Sequence, residues 1–196
     1  MYRPSIDEIK KLREATASSI AYCQQALVEA KGDFAKAKQI LELKGMTKAA
    51  SKTDRAVGAG IIDSYIHHNK QLGVLLDIRS ETDFVARNQE FISLAHEICL
   101  QIAANDPHWV ALEDVPAEII EEKKQLFRQE SAKEGKPKDV AEKIVQGKLN
   151  SFFEESCLLE QIYLKDNTKK VRDVVNLAIG KLGENIKINS FRRLSI

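Results

Sequence analysis

Long apolar runs are missing from this 196-residue chain, although apolar residues make up 43% of it. None approaches the ~18 residues that span a bilayer, so a membrane-spanning helix is not expected. The apolar fraction is still ample for a buried core and too high for a disordered chain. The start, Met1-Tyr2-Arg3-Pro4-Ser5, runs straight into a charged helical pattern and lacks the apolar stretch of a secretory signal. Charge of one sign is also missing, with 30 Lys and Arg against 29 Asp and Glu. Dedicated nucleic-acid binders carry a large basic excess, so direct nucleic-acid binding is not expected. Cysteines are few and odd in number: Cys23, Cys99 and Cys157, with no pair at metal-ligand spacing. Cys23 and Cys99 fall on the apolar sides of predicted helices, where buried thiols are expected. A reducing, cytoplasmic location fits that usage.

Recognisable catalytic motifs are absent as well. There is no glycine-rich phosphate loop, no Gly-x-Ser-x-Gly and no His-Glu-x-x-His. The histidines are His67, His68, His96 and His108. Neighbours on a strand point to opposite faces, so His67 and His68 are expected to be solvated or partly packed rather than to share an ion. Carboxylates such as those of Glu121-Glu122-Lys123-Lys124 read as solvated helix faces. The expectation is a binding protein without cofactor or metal, not an enzyme.

What the chain does have is clear periodicity. Ser5-Ile6-Asp7-Glu8 reads as a capping box, with Ile6, Ile9 and Leu12 on one helix face. A second helix carries Ile20, Cys23, Leu27 and Ala30 and stops at Gly32. Asp33 caps a third, with Phe34, Ala37, Ile40 and Leu41 inward, ending at Gly45. Residues 1–45 are thus a three-helix module, too small to be robust alone. Residues 46–60 are small and basic, with Lys48, Lys52 and Arg55, and read as a linker, partly helical at most. Three spaced cations are too few to favour a nucleic-acid arm.

A hairpin follows, Ile61–His68 and Leu72–Arg79 around Asn69-Lys70-Gln71, with Val74, Leu76 and Ile78 sharing a face. A long helical region spans Thr82–Ala104. Pro116 and Pro137 open two further helices, joined through Gly135-Lys136-Pro137 into a helical hairpin over 116–155. Leu159–Leu164 reads as a strand, Thr168 as the cap of a helix closed by Gly183, and Ile186–Arg193 as a last strand. The fold class is α+β: the three-helix module, then over 61–196 a small, mainly antiparallel sheet packed with helices.

Ser80-Glu81-Thr82-Asp83-Phe84 follows a strand and opens a helix, and Thr82 or Asp83 suits the N-cap. Phe84 stands seven positions before Phe91. In one continuous helix both would face the core. Alternatively Asn88 starts a fresh helix, and Thr82–Arg87 protrudes with an exposed phenylalanine beside an aspartate.

Thr82-Asp83-Phe84-Val85-Ala86-Arg87-Asn88 resembles the signature of the elongation factor Ts family. Leu12-Arg13-Glu14-Ala15-Thr16, Cys23, Ala26-Leu27 and Gly32-Asp33 resemble that family's N-terminal module, which has a ubiquitin-associated-like fold. Ala141-Glu142-Lys143-Ile144, Leu158-Leu159-Glu160-Gln161 and Gly183-Glu184-Asn185-Ile186 extend the resemblance over the whole chain. It implies a guanine-nucleotide exchange factor that binds elongation factor Tu and promotes GDP release by wedging into the GTPase's nucleotide domain. The residues implied to face that partner are Thr82, Asp83, Phe84, Val85, Ile20, Cys23, Gln24, His67 and His68. Ala17–Gln25 departs from the family pattern: the loop glycines and a lysine pair are replaced, so ionic contact there is lost. The core module occurs once, and the resemblance then implies a homodimer, with Ile186–Arg193 as the candidate edge. The alternative reading is an RNA- or ribosome-associated module using the basic linker.

Overall fold

A computed structural model of the chain describes residues 2–16, 18, 20–133 and 137–196, the side chains of 46–50 and 133 excepted. Ala17 and Ser19 of the altered loop, and Gly135-Lys136 of the helical-hairpin turn, lie outside the described residues. The chain forms two compact units, each assembled from three separated stretches. The first comprises Met1–Ile61, Arg79–Leu94 and Asp173–Lys187; the second comprises Ile62–Ile78, Ala95–Arg172 and Ile188–Ile196. Among the described residues no helix is long and apolar enough to cross a membrane.

The first unit begins with three helices, α1 (Ile6–Thr16), α2 (Ile20–Glu29) and α3 (Phe34–Ala50). The expected capping box opens α1: the Glu8 amide donates to Ser5 Oγ at 3.2 Å, and the Ser5 amide donates to Glu8 Oε2 at 2.7 Å. Both otherwise orphaned amides of the first turn gain acceptors. Leu12, Cys23, Ala26, Leu27, Ala30, Ala37 and Leu41 form the core of this module, with Tyr2, Ile9, Phe34 and Ile40 packed around it. Each buried Leu contributes about 1.5–3 kcal/mol. Ile6, which shares a face with Ile9 and Leu12, and Ile20, which shares one with Cys23 and Leu27, are exposed because each is the first residue of its helix and lies beyond this packing. The α2 terminus is left-handed at Lys31 and Gly32 (φ 52° and 86°), and the Gly32 amide donates to Leu27 O at 2.9 Å. That is the expected glycine stop.

Helix α3 does not end at Gly45; it continues to Ala50. One glycine costs only ~1 kcal/mol in a helix, and the close approach of another backbone to Gly45 depends on the missing side chain of Gly180. A Cβ added at Gly180 would lie 2.9 Å from Gly45 Cα and Gly45 O. Gly180 belongs to α8 (Val171–Leu182).

The second unit contains most of a three-stranded sheet, β1 (Ala59–Ile66), β2 (Leu72–Ser80) and β5 (Ile186–Ser195), in the order β1-β2-β5. The His67 amide closes the hairpin on Leu72 O at 2.9 Å. Strand β5 runs antiparallel to β2: Asn189 Nδ2 donates to Asp77 Oδ2 at 2.7 Å, and the Ile196 amide donates to Gln71 O at 2.9 Å. Val74, Leu76 and Ile78 are buried on one face, as their alternation requires. Helices α6 (Ala117–Lys133) and α7 (Lys138–Ser156) are bridged by the ion pairs Arg128–Glu142 and Lys148–Glu130.

The region after α7 differs from expectation. Leu158–Glu160 make a 3-10 turn, so only Ile162–Tyr163 (β3) is strand, and it pairs antiparallel with Asp166–Lys170 (β4). Thr168 therefore sits in a strand and caps no helix. Its amide and hydroxyl both donate to Asp166 Oδ1, fixing the residue before the helix can begin. Helix α8 starts only at Val171, whose amide is taken by Gln161 O at 3.0 Å. Buried Gln101 holds this corner together: Nε2 donates to Gln161 Oε1 and Ile162 O, and Oε1 accepts from the Leu164 amide at 2.8 Å.

Candidate functional site

Strand β2 ends at Ser80, which is buried and whose hydroxyl donates to Thr82 O at 2.9 Å. Thr82 is extended (φ −127°, ψ 159°), the N-cap conformation, and its Oγ1 accepts from the Val85 amide at 3.5 Å. Helix α4 (Asp83–Ala86) then makes a single turn. The Arg87 amide donates to Asp83 O at 3.1 Å and the Asn88 amide to Val85 O at 2.9 Å. Asn88 opens the next helix, α5 (Gln89–Asn105): its Oδ1 accepts from the Glu90 amide at 2.8 Å.

The helical region is therefore broken, and the seven-residue spacing no longer places Phe84 and Phe91 on one face. Phe91 is fully buried, whereas Phe84 is 88% exposed. The core reading of Phe84 is overturned because Asn88, with a short polar side chain suited to capping, restarts the helix. Asp83 is also exposed and pairs with Arg87 at 3.2 Å along α4. Val85 is half-buried, and Ala86 seals the turn from below.

The base of this tip is held by residues that the sequence pattern quoted without assigning them work. The Thr82 amide donates to Glu184 Oε2 at 2.9 Å, and the Thr82 hydroxyl donates to Glu184 Oε1 at 2.7 Å. The Asn185 amide donates to Glu81 Oε1 at 2.6 Å, and its Nδ2 donates to Thr53 O and Arg55 O. Arg55 in turn faces Glu81 at 3.6 Å. A Gly-Glu-Asn sequence after a helix signals a left-handed stop, and Gly183 has φ 83°. Nothing in its spacing signals a brace for a turn a hundred residues earlier.

In the three-helix module, Ile20 is 56% exposed and Gln24 is exposed, both on α2. A shallow groove beside them is lined by Ala21, Gln24, Gln25, Val28, Glu29 and Lys44, the last two paired at 3.0 Å. Cys23 does not join this surface. It has no exposed area, and its thiol lies 3.7 Å from Ser18 O, with burial raising its pKa. Cys23 fills the core of the module and is not part of its exposed surface.

His67 and His68 lie just past the end of β1, in the turn, so strand alternation does not separate them. Their ring centroids are 4.3 Å apart, and His67 Nδ1 is hydrogen-bonded to Tyr65 Oη at 2.7 Å. His68 is exposed and His67 half-buried. Among the described residues, no three His, Cys, Asp or Glu side chains are grouped to hold a metal ion.

Over nearly its whole length this chain is similar to translation elongation factors. The chain belongs to the elongation factor Ts family: the family model described as Elongation factor TS matches residues 8–196. It is 50% identical to the elongation factor Ts of Thermotoga maritima over 192 residues, covering 98% of this chain and 96% of that one. The elongation factor Ts of Thermosipho melanesiensis is 47% identical over 188 residues, 96% of either chain. That of Fervidobacterium nodosum is 46% identical over 192 residues, 98% of either chain.

Proposed function

We propose that this protein binds elongation factor Tu in the cytoplasm and accelerates GDP release, without covalent chemistry of its own. The observation that carries the proposal is Phe84, 88% exposed on a one-turn helix whose every end is hydrogen-bonded. A large apolar side chain held out in water is a binding group waiting for a pocket. Asp83 beside it would enter the same site as an anion, unfavourable to bound phosphates. By linkage, whatever free energy the protein uses to weaken GDP binding, GDP uses equally to weaken the protein's binding. A ten-thousandfold effect requires roughly 5.5 kcal/mol of differential binding, and burying one Phe supplies about 1.5–3 kcal/mol. Ile20 and Gln24 on the three-helix module are the second contact in this reading, with His67 and His68 a third. The test is release of a fluorescent GDP analogue from elongation factor Tu at saturating protein. An unchanged release rate ends the proposal.

The RNA-binding alternative draws less support. Of the basic linker's cations, Lys52 donates to Gly183 O and Arg55 faces Glu81, so both are engaged within the fold. A homodimer joined through β5 accompanies the exchange reading. Among the described residues β5 has a strand neighbour on one side only, and sedimentation equilibrium reads the mass directly.

A further inference from the structure

We propose that Glu184 is a positioning residue for the Asp83–Phe84 tip, an inference that rests on the exchange reading above. Helix α4 has four residues, far too few to be stable on its own. The direction in which Phe84 points is therefore set by the anchors at its ends. At the N-terminal end the anchor is Thr82, and Thr82 is gripped twice by one carboxylate: amide to Oε2 at 2.9 Å, hydroxyl to Oε1 at 2.7 Å. Bidentate bonds to an ionised acceptor fix orientation as well as distance. With its proton committed to Oε1, the Thr82 hydroxyl keeps its lone pairs for the Val85 amide, the bond that caps α4. Glu184 thus selects the hydroxyl orientation in which the cap works.

The carboxylate is itself presented from a fixed turn. Gly183 is left-handed, and its carbonyl accepts from Lys52 Nζ at 2.5 Å. Asn185 is buried, with its amide on Glu81 and its side chain on Thr53 O and Arg55 O. Both flanks of Glu184 are tied down, so its grip on Thr82 carries the rigidity of that turn to the tip.

The experiment compares wild type, Glu184→Ala, Glu184→Gln, Phe84→Ala and the Glu184→Ala/Phe84→Ala pair in GDP release from elongation factor Tu across protein concentration. A purely structural role would lower the folded fraction and shift the half-saturating concentration, leaving the plateau rate intact. A positioning role lowers the plateau. The expected result is a plateau reduced about tenfold in Glu184→Ala, the scale of a lost charge-assisted hydrogen bond. Glu184→Gln, which keeps one acceptor, should fall between. The double variant should match Phe84→Ala alone, because both changes disable the same contact. Amide hydrogen exchange, which needs no partner, should speed up at Val85 in Glu184→Ala. A wild-type plateau in Glu184→Ala beside a lowered one in Phe84→Ala overturns the role of Glu184 and leaves the exchange reading standing. No acceleration by wild type removes both. Unchanged exchange at Val85 also overturns the positioning role.

Discussion

Phe84 and Phe91 lie seven residues apart in the sequence and have opposite fates: one projects 88% exposed from α4, the other is fully enclosed on α5. Truncating them should therefore give opposite phenotypes. Phe91→Ala should cost about 3–5 kcal/mol in urea unfolding, the usual loss for a buried aromatic. Phe84→Ala should change stability by no more than about 0.5 kcal/mol, while lowering the GDP-release rate. A sharp fall in melting temperature for Phe84→Ala would mean that the exposed placement is wrong.

The two glycines at the α3–α8 approach should respond unequally. A Cβ at Gly180 meets backbone atoms of Gly45 at 2.9 Å, whereas a Cβ at Gly45 meets nothing within 4 Å. Gly180→Ala should destabilise by about 1–3 kcal/mol through overpacking. Gly45→Ala should be neutral or stabilising by up to ~1 kcal/mol from helix propensity. Thermal melts of the two single variants decide it, and equal effects would contradict the geometry.

Gln101→Leu keeps the side-chain volume but strips the buried Gln161 Oε1, and the part-buried Leu164 amide and Ile162 O, of their partner. Leaving buried polar groups unsatisfied costs about 1–3 kcal/mol. Chemical denaturation should show that loss, with the exchange rate per folded molecule retained.

Burial pushes the Cys99 thiol up to about 12, with Asp63 adding to it, and burial pushes Cys157 up to about 11. An unfolded thiol ionises near ~8.5. Because the folded values are raised, the stability these groups contribute is complete below that pH. It declines as pH rises from there toward the folded values. Ellman's reagent at pH 8 should find all three cysteines silent in the native protein and three reactive after denaturation. Prompt reaction of any native thiol would show that its burial is incomplete.

Much of this was legible in the residues, where local chemistry decides local form. The Ser5–Glu8 box, the Gly32 stop and the Val74-Leu76-Ile78 alternation are each written within a few positions, and each is found as expected. The tip is different. Apolar spacing alone fits a continuous helix, because it does not weigh the cap at Asn88, which has the shape of a helix start but sits inside an apolar pattern. Strand β4 is hidden for a related reason: Thr168 suits a helix cap as well as a strand, and its bonds to Asp166 settle which. Family resemblance implies a partner-facing Cys23, while its position on the inner face of α2 puts it in the core. The Glu184 brace had no local signature, since its partner is 102 positions away.

That separation has a consequence in time. A chain made at about 5–20 residues per second presents Thr82 roughly 5–20 seconds before Glu184 exists. Through that interval the nascent chain carries the tip sequence without the carboxylate that shapes it. Throughout it the residues of the three-helix module and of the tip have both been made, and only the brace is outstanding, so the tip takes its final shape late in synthesis.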